Sequence, residues 1–242
     1  MSTTRNLRIG MVVPSLNTIA EDDFRRYCPP EVPYHVHRVR LRSEPGKVTV
    51  DDLRQAHLQA VDQSRYVRDM NPGAIVYNCT GASVANGPSN DAVLAEHMTH
   101  ALGVPCTNTM VAIKEALRAM GINKLVHVSP FADESARIER ESLEASGLVV
   151  AKSVGLNFTD AREAALMAPS RLVEIARQHS QDGIDGILLS CANVRAMEAT
   201  EQLERELDLP IITSNGAVLW KMLRMVGWQG NIAGAGRLFR LN

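Results

Sequence analysis

The chain has 242 residues, of which 45% are hydrophobic and 22% are charged, and its formal net charge is −1. This length can bury a substantial core, either in one large domain or in two half-size ones. A charge near zero, without a run of Lys and Arg, gives no support to a nucleic-acid or anionic-lipid partner. No apolar segment reaches the ~18 residues of a membrane span, and the N-terminus lacks the apolar stretch of a signal peptide. We therefore expect a cytoplasmic protein with no membrane partner.

Apolar runs and helical patterns alternate along the whole chain. Strands are predicted at 7–13, at 34–40, in the apolar run before Cys79 and at 104–107, with helices from about residue 19, at 50–70, at 90–102 and at 109–120. The order then restarts, with strands at 124–128, 148–154 and 187–190 and helices at 134–146, 169–179 and 197–207. Strands that alternate with helices indicate parallel βαβ units.

An internal repeat divides the chain into two parts. The segment 101–113 (ALGVPCTNTMVAI) is similar to the segment 206–218 (ELDLPIITSNGAV), and each follows a strand that leads into a cysteine. We predict an α/β fold of two similar lobes, each a parallel sheet flanked by helices, related by a pseudo-two-fold axis with the active site between them. The expected boundaries are 1–120 for the lobe with Cys79, 121–225 for the lobe with Cys191, and 226–242 for a tail that returns to the N-terminal lobe.

Cys79 and Cys191 are the candidate reactive groups. Each follows a short apolar strand and lies in a turn of small or polar residues, which are Asn78, Thr80, Ala192 and Asn193. Ligands of open parallel sheets bind at the carboxyl ends of the strands, so both thiols should face one cleft. Backbone N–H groups of the following turn can stabilise the reactive thiolate. Either cysteine alone is better explained as an ordinary buried residue, but the matching contexts favour a shared dithiol site.

The other two cysteines and the seven histidines are interpreted as structural. Cys28 lies in a loop that ends a helix, and Cys106 has no counterpart thiol in the second half. No cysteine belongs to a C-x-x-C pair or has a histidine at metal-ligand spacing, and nucleotide-binding glycine motifs are absent. The sequence therefore indicates no metal and no cofactor.

Three further polar turns are candidates for the substrate cleft. Ser15 and Asn17 follow the first strand, and Ser129 and Phe131 follow the fifth. The Asn17 amide can donate a hydrogen bond to a carboxylate, and the segment 213–216 opens the last helix with N–H groups that suit an anion. The alternative for each turn is ordinary helix capping, which Ser, Thr and Asn serve throughout proteins.

Several segments, in order along nearly the whole chain, resemble the aspartate/glutamate racemase superfamily. They are Ile9-Gly-Met-Val-Val-Pro-Ser-Leu-Asn17-Thr18, Tyr77-Asn78-Cys79, Gly186-Ile-Leu-Leu-Ser-Cys191, Leu209-Pro210 and Gly234-Ala-Gly-Arg-Leu-Phe239. Within the superfamily they are most similar to the branch of maleate cis-trans isomerases and arylmalonate decarboxylases. The branch's decarboxylases keep only the second cysteine, whereas this chain has both, which favours isomerase or racemase chemistry.

The resemblance implies a covalent, cofactor-independent isomerisation of maleate, or of a related small dicarboxylate, to fumarate. Cys79 would add to the alkene carbon, Cys191 would handle the proton, and Asn17 would bind a substrate carboxylate. Phe131 stands where the isomerases have a tyrosine, and Asn157 is the nearest match to their second-lobe asparagine. Because Phe131 lacks the hydroxyl of that tyrosine, two alternatives stay open: a substrate with a different second carboxylate, or a substrate with an uncharged group in its place. The resemblance also implies a homo-oligomer, either a dimer or a dimer of dimers.

Two other functions compete with this interpretation. A racemase, epimerase or other carbon-acid enzyme, for example in amino-acid or ectoine catabolism, would use the same two thiols to remove and return a proton; decarboxylation is a further possibility within the branch. A non-catalytic ligand sensor could share the two-lobed fold, but it would have no need for two thiols at matching strand ends.

Overall fold

The computed structural model describes residues 6–41, 46–131 and 133–241. Its described residues form two parallel four-stranded sheets. The first contains β1 (Ile9–Pro14), β2 (Tyr34–Val39), β3 (Ala74–Tyr77) and β4 (Cys106–Asn108), in the order β2-β1-β3-β4. The second contains β5 (Lys124–Ser129), β6 (Val149–Gly155), β7 (Gly186–Leu189) and β8 (Ile211–Thr213), in the order β6-β5-β7-β8. The equivalent strand order in the two sheets confirms the predicted two-lobed α/β fold.

Helices cover both sheets. In chain order they are α1 (Ile19–Tyr27), α2 (Val50–Leu58), α3 (Ala60–Arg68), α4 (Thr80–Val84), α5 (Asn90–Leu102), α6 (Thr109–Ala119), α7 (Asp133–Ala145), α8 (Ala161–Leu166), α9 (Pro169–His179), α10 (Met197–Leu207) and α11 (Ser214–Met225). The single helix predicted at 50–70 is two helices that meet at Gln59. The sequence pattern missed α4 and α8 because five or six residues are too few to show a helical period.

The internal repeat forms the centre of the molecule. Helices α6 and α11 pack against each other, and their buried residues belong to one core cluster that contains strands of both sheets. Each helix begins with the same kind of cap: the side chain of Asn108 accepts a hydrogen bond from Val111 N, and that of Thr213 accepts one from Gly216 N. The repeat therefore joins the two lobes and fixes the separation of their sheets.

The tail contacts both lobes. The Trp228 indole donates a 2.8 Å hydrogen bond to Glu31, whereas Arg237 binds Asp208 and the carboxylate of Glu204. Phe239 lies in the central core cluster. Among the described residues, no helix combines the length and the apolar character that a membrane crossing requires.

Candidate active site

Cys79 lies where β3 ends and α4 begins. All four residues of β3 are buried, and after Asn78 the chain turns so that Cys79 is the N-cap residue of α4. The Cys79 carbonyl accepts hydrogen bonds from the N–H and the hydroxyl of Ser83. The backbone N–H groups of Ala82 and Gly81 act to lower the pKa of the thiol. The short helix therefore holds this side chain over its first turn.

Cys191 occupies the corresponding position after β7. Its φ angle is 90°, a region that residues with a side chain rarely adopt and that is concentrated at functional sites. Two hydrogen bonds hold the residue there: Cys191 N donates to Ser214 Oγ (2.9 Å), and Asn193 N donates to Cys191 Sγ (3.4 Å). The sequence predicted the cysteine at the strand end but not its strained backbone.

The two cysteines line one cavity of about 50 Å³ between the lobes. A single water occupies roughly 10–15 Å³ by this kind of measure, so the cavity suits a small ligand. Of the sequence-predicted site residues, those that line it are Cys79, Cys191, Asn17, Asn78, Thr80, Phe131, Ala192 and Asn193. One wall is apolar and includes Leu16, Leu41, Val48 and Leu53.

Burial keeps both thiols protonated at neutral pH. Burial raises the pKa of Cys79 to about 11, although the N–H groups of Ala82 and Gly81 act against this rise and the charge of Glu139 adds to it. Burial also raises the pKa of Cys191, and the Glu139 and Cys79 charges raise it further. The backbone N–H groups thus lower the thiol pKa, as predicted, but the loss of water around the thiols raises it by more.

Asn17 and Asn193 tie the two lobes together beside the thiols. Asn17 Nδ2 donates to the carbonyl of Ala192 (3.0 Å), while its Oδ1 accepts from the first N–H groups of α1. In return, Asn193 Oδ1 accepts a 3.0 Å hydrogen bond from Thr18 N. Asn17 is therefore both a helix cap and a contact between lobes, and no described residue accepts its second Nδ2 hydrogen, which can be donated to a ligand.

Two further contacts cross the lobe boundary below the cavity. Asn78 Nδ2 donates to Asn215 Oδ1 (3.2 Å), and the Thr80 and Ser214 hydroxyls lie 3.1 Å apart. All four side chains are buried. The segment 213–216, predicted as an anion site, instead supplies these structural contacts through Ser214 and Asn215.

Three of the predicted substrate-binding residues do not line the cavity. Ser15 is exposed at the end of β1, and Asn157 is exposed in the loop after β6 with a φ angle of 57°. Ser129 is still part of β5 and is fully buried. Cys28 and Cys106 also lie outside the cavity lining, as their structural interpretation requires.

Glu139, a buried carboxylate in the cavity lining, was not predicted from the sequence. Its Oε2 accepts hydrogen bonds from His127 Nε2 (2.9 Å) and from the hydroxyl of Ser190 (2.7 Å). The available signal was its position on α7, where Ala136, Glu139 and Leu143 share the buried face. Among the described residues, no three side chains of the metal-ligating types come together as a metal site.

Comparison with known proteins points to one group of enzymes. The profile of the family described as arylmalonate decarboxylase matches residues 46–239. An arylmalonate decarboxylase of Bordetella bronchiseptica is 29% identical over 241 residues, which cover 96% of this chain and 95% of the relative. A maleate isomerase of Geobacillus stearothermophilus is 25% identical over 246 residues, which cover 97% of each chain.

Solved structures of both kinds of enzyme share the fold. A mutant of the Nocardia farcinica maleate cis-trans isomerase, with a covalently bound succinylcysteine intermediate, has a TM-score of 0.89 at 24% identity and covers 97% of this chain and 98% of its own. A liganded double mutant of arylmalonate decarboxylase has a TM-score of 0.88 at 27% identity and covers 96% of this chain and 98% of its own.

Proposed function

Because this chain belongs to the arylmalonate decarboxylase family, we propose that its two cavity cysteines serve a cofactor-independent cis-trans isomerisation of maleate or a related small cis-alkene carboxylate. The observation that carries the proposal is the pair itself, Cys79 and Cys191, at equivalent strand ends on opposite lobes of one small cavity. In the Nocardia farcinica relative, such an isomerase holds its substrate as a succinylcysteine intermediate. The same intermediate fits a cavity that presents two thiols to one ligand.

The chemistry is the reversible addition of a thiol across a double bond. The Cys79 sulfur forms a bond to one alkene carbon, the π bond breaks, and its electron pair passes to the other carbon and its carboxylate as an enediolate. Cys191 donates a proton to that carbon, and the proton lost by Cys79 restores Cys191. The former double bond is now single and rotates. Reversal of the same steps expels Cys79 and releases the trans alkene.

The neighbouring polar groups suit these steps. The raised pKa of Cys191 keeps its proton available for donation to carbon. The free Nδ2 hydrogen of Asn17 and the hydroxyl of Thr80 line the cavity and can stabilise the negative oxygens of the enediolate. Every proton and electron pair is accounted for by the substrate and the two thiols, so the proposal requires no cofactor.

A racemase or another carbon-acid enzyme is the alternative, and the placement of the two cysteines on opposite lobes keeps it open, with one thiol ionised to act as the base and the other protonated to act as the acid. A pair of cysteines on opposite lobes can remove a proton from one face of a substrate and return it to the other. Phe131 favours the alternative because it supplies no hydroxyl for a second carboxylate.

Proton NMR of the protein with maleate in deuterated buffer separates the two functions. The isomerase should produce fumarate, and Cys79→Ala and Cys191→Ala should each abolish turnover. Cys106→Ala is the control because Cys106 is a buried thiol outside the cavity lining. Cys191→Ser should gain the mass of one substrate on Cys79. Absence of the trans product from both maleate and its monoamide with the unaltered protein would contradict the isomerase, and proton exchange into amino or hydroxy acids would then identify the alternative.

We further propose a cytoplasmic location and a homodimer or dimer of dimers. Sedimentation velocity of the purified chain tests the oligomeric state, and cell fractionation tests the location. A monomer at all concentrations would contradict the proposed homo-oligomer.

A further inference from the structure

Glu139 is an acidic group of the cavity that the thiol chemistry does not use. It lies on the buried face of α7, only 2% exposed, and lines the cavity together with both cysteines. Its charge is close enough to raise the pKa of both thiols. An acidic side chain so deep in a site needs partners that hold it there, because burial of an unpaired carboxylate is costly.

Those partners all act on one of its two oxygens. Oε2 accepts from His127 Nε2 and from the hydroxyl of Ser190, the residue before Cys191. His127 is in turn fixed by a 3.0 Å hydrogen bond between its Nδ1 and Ser153 Oγ. Within the described part of the chain, no hydrogen bond reaches Oε1. One carboxylate oxygen of a rigidly held residue is therefore available to a ligand.

The rest of the described cavity lining has no cationic side chain to bind a second carboxylate of the substrate. No Lys, Arg or His is among the described residues that line it, and Phe131 brings an aromatic ring without a hydroxyl. A substrate dianion would meet the Glu139 carboxylate in a poorly solvated space, where like charges repel strongly. A neutral group with N–H or O–H donors would instead complete the hydrogen bonding of Oε1.

We propose that Glu139 determines substrate specificity: it binds a hydrogen-bond donor at the second end of the substrate and disfavours a second carboxylate there. The preferred substrate class is then a cis-alkene monocarboxylate with an uncharged donor group, such as the monoamide of maleate. This inference rests on the proposed function and narrows its substrate. The addition step itself needs only one carboxylate to accept the electron pair, so the second group can be an amide without any change in the chemistry.

The test compares maleate with its monoamide in the unaltered protein and in Glu139→Gln. We expect the unaltered protein to have a kcat/KM for the monoamide at least about tenfold above that for maleate. Glu139→Gln should raise kcat/KM for maleate and lower it for the monoamide, mainly through KM. A residue that only supported the fold would lower both values together. Glu134→Gln is the control, since Glu134 is an exposed glutamate of the same helix.

Binding of the saturated analogues separates this inference from the proposed function. Succinate and its monoamide cannot be isomerised, and calorimetry measures their dissociation constants without turnover. Tighter binding of the monoamide by the unaltered protein, reversed in Glu139→Gln, supports the inference even if neither alkene reacts, in which case only the proposed function fails. Equal or tighter binding of succinate by the unaltered protein overturns the inference, and this result does not depend on whether the variant folds.

Discussion

Thr80 Oγ1 lies 3.1 Å from Ser214 Oγ, and this contact links the turn after Cys79 to the turn that holds Cys191. Ser214 Oγ is also the acceptor for the N–H of Cys191, at 2.9 Å. Because Cys191 has a φ angle of 90°, its backbone depends on such contacts to keep its conformation. One buried hydroxyl thus joins the first turn of α4 to the strained cysteine of the opposite lobe.

Ser214→Ala removes a single hydroxyl, but it should lower both the stability of the protein and its turnover. It leaves the Cys191 N–H and the Thr80 hydroxyl without this partner, and a buried donor without an acceptor costs about 1–3 kcal/mol. We expect a loss of unfolding free energy in that range, measured in urea, and a lower kcat. Ser64→Ala is the control because the buried Ser64 hydroxyl has no hydrogen-bond partner among the described residues. Equal effects of the two substitutions would contradict the role of Ser214.

The reactivity of Cys79 should follow its raised pKa. At about 11, this pKa leaves roughly one thiol in ten thousand ionised at pH 7. Since the thiolate is the nucleophile, alkylation of Cys79 by iodoacetamide should be slow at pH 7 and rise about tenfold per pH unit through pH 10. Peptide mass spectrometry at each pH measures this rate. A plateau at or below pH 8 would show that the empty cavity already stabilises the thiolate.

The sequence was sufficient to predict the two sheets and the meeting of the two cysteines. Short buried strands followed by polar turns identify the positions of Cys79 and Cys191 at the carboxyl ends of β3 and β7. These strands belong to different sheets, so the internal repeat is what predicts that the two strand ends face one cleft. Asn157 was predicted from the same rule, but its side chain is exposed, although its backbone N–H donates to the carbonyl of Phe131 beside the cavity. Ser129 was predicted to lie in the turn after the fifth strand, but β5 continues through it and its side chain is buried within the fold.

Glu139 shows what the sequence could not supply. The helical period identifies it as an acidic residue on a buried face, but which groups it meets depends on how α7 packs against β6, β5 and α4. Its partners, His127 and Ser190, are 12 and 51 positions away along the chain. Only the three-dimensional structure brings them together with the thiols.

Asp23 should make the stability of the protein depend on pH. Burial raises its pKa from 3.8 to about 7, although a hydrogen bond from Asn215 opposes the rise. Because the folded protein disfavours the ionised form of Asp23, the contribution of this carboxyl to stability is fully present below pH 3.8. It is lost as the pH rises from 3.8 towards 7. Asp23→Asn removes this loss and should gain up to ~4 kcal/mol in unfolding free energy at pH 8.

Urea unfolding at pH 5 and pH 8 measures this gain. Asp23→Asn should show a larger advantage over the unaltered protein at pH 8 than at pH 5, because Asp23 is mostly protonated at the lower pH. Asp22→Asn is the control, since the neighbouring Asp22 side chain is 60% exposed. The same advantage at both pH values would contradict ionisation of Asp23 as the cause.

Lys114 and Asp91 form a buried ion pair that should contribute to stability only while both partners are present. Lys114 Nζ lies 2.9 Å from both carboxylate oxygens of Asp91, and the two side chains are 9% and 2% exposed. Lys114→Met leaves the Asp91 carboxylate buried without its cation, which costs about 3–5 kcal/mol of unfolding free energy. The double variant, Lys114→Met with Asp91→Leu, removes both charges and should recover most of this loss. Lys221→Met is the matched control, because the Lys221–Glu115 pair is more exposed and should cost less than about 1 kcal/mol. Equal losses for the two single lysine variants in urea unfolding would mean that solvent screens the Asp91 charge as well as it screens a surface charge.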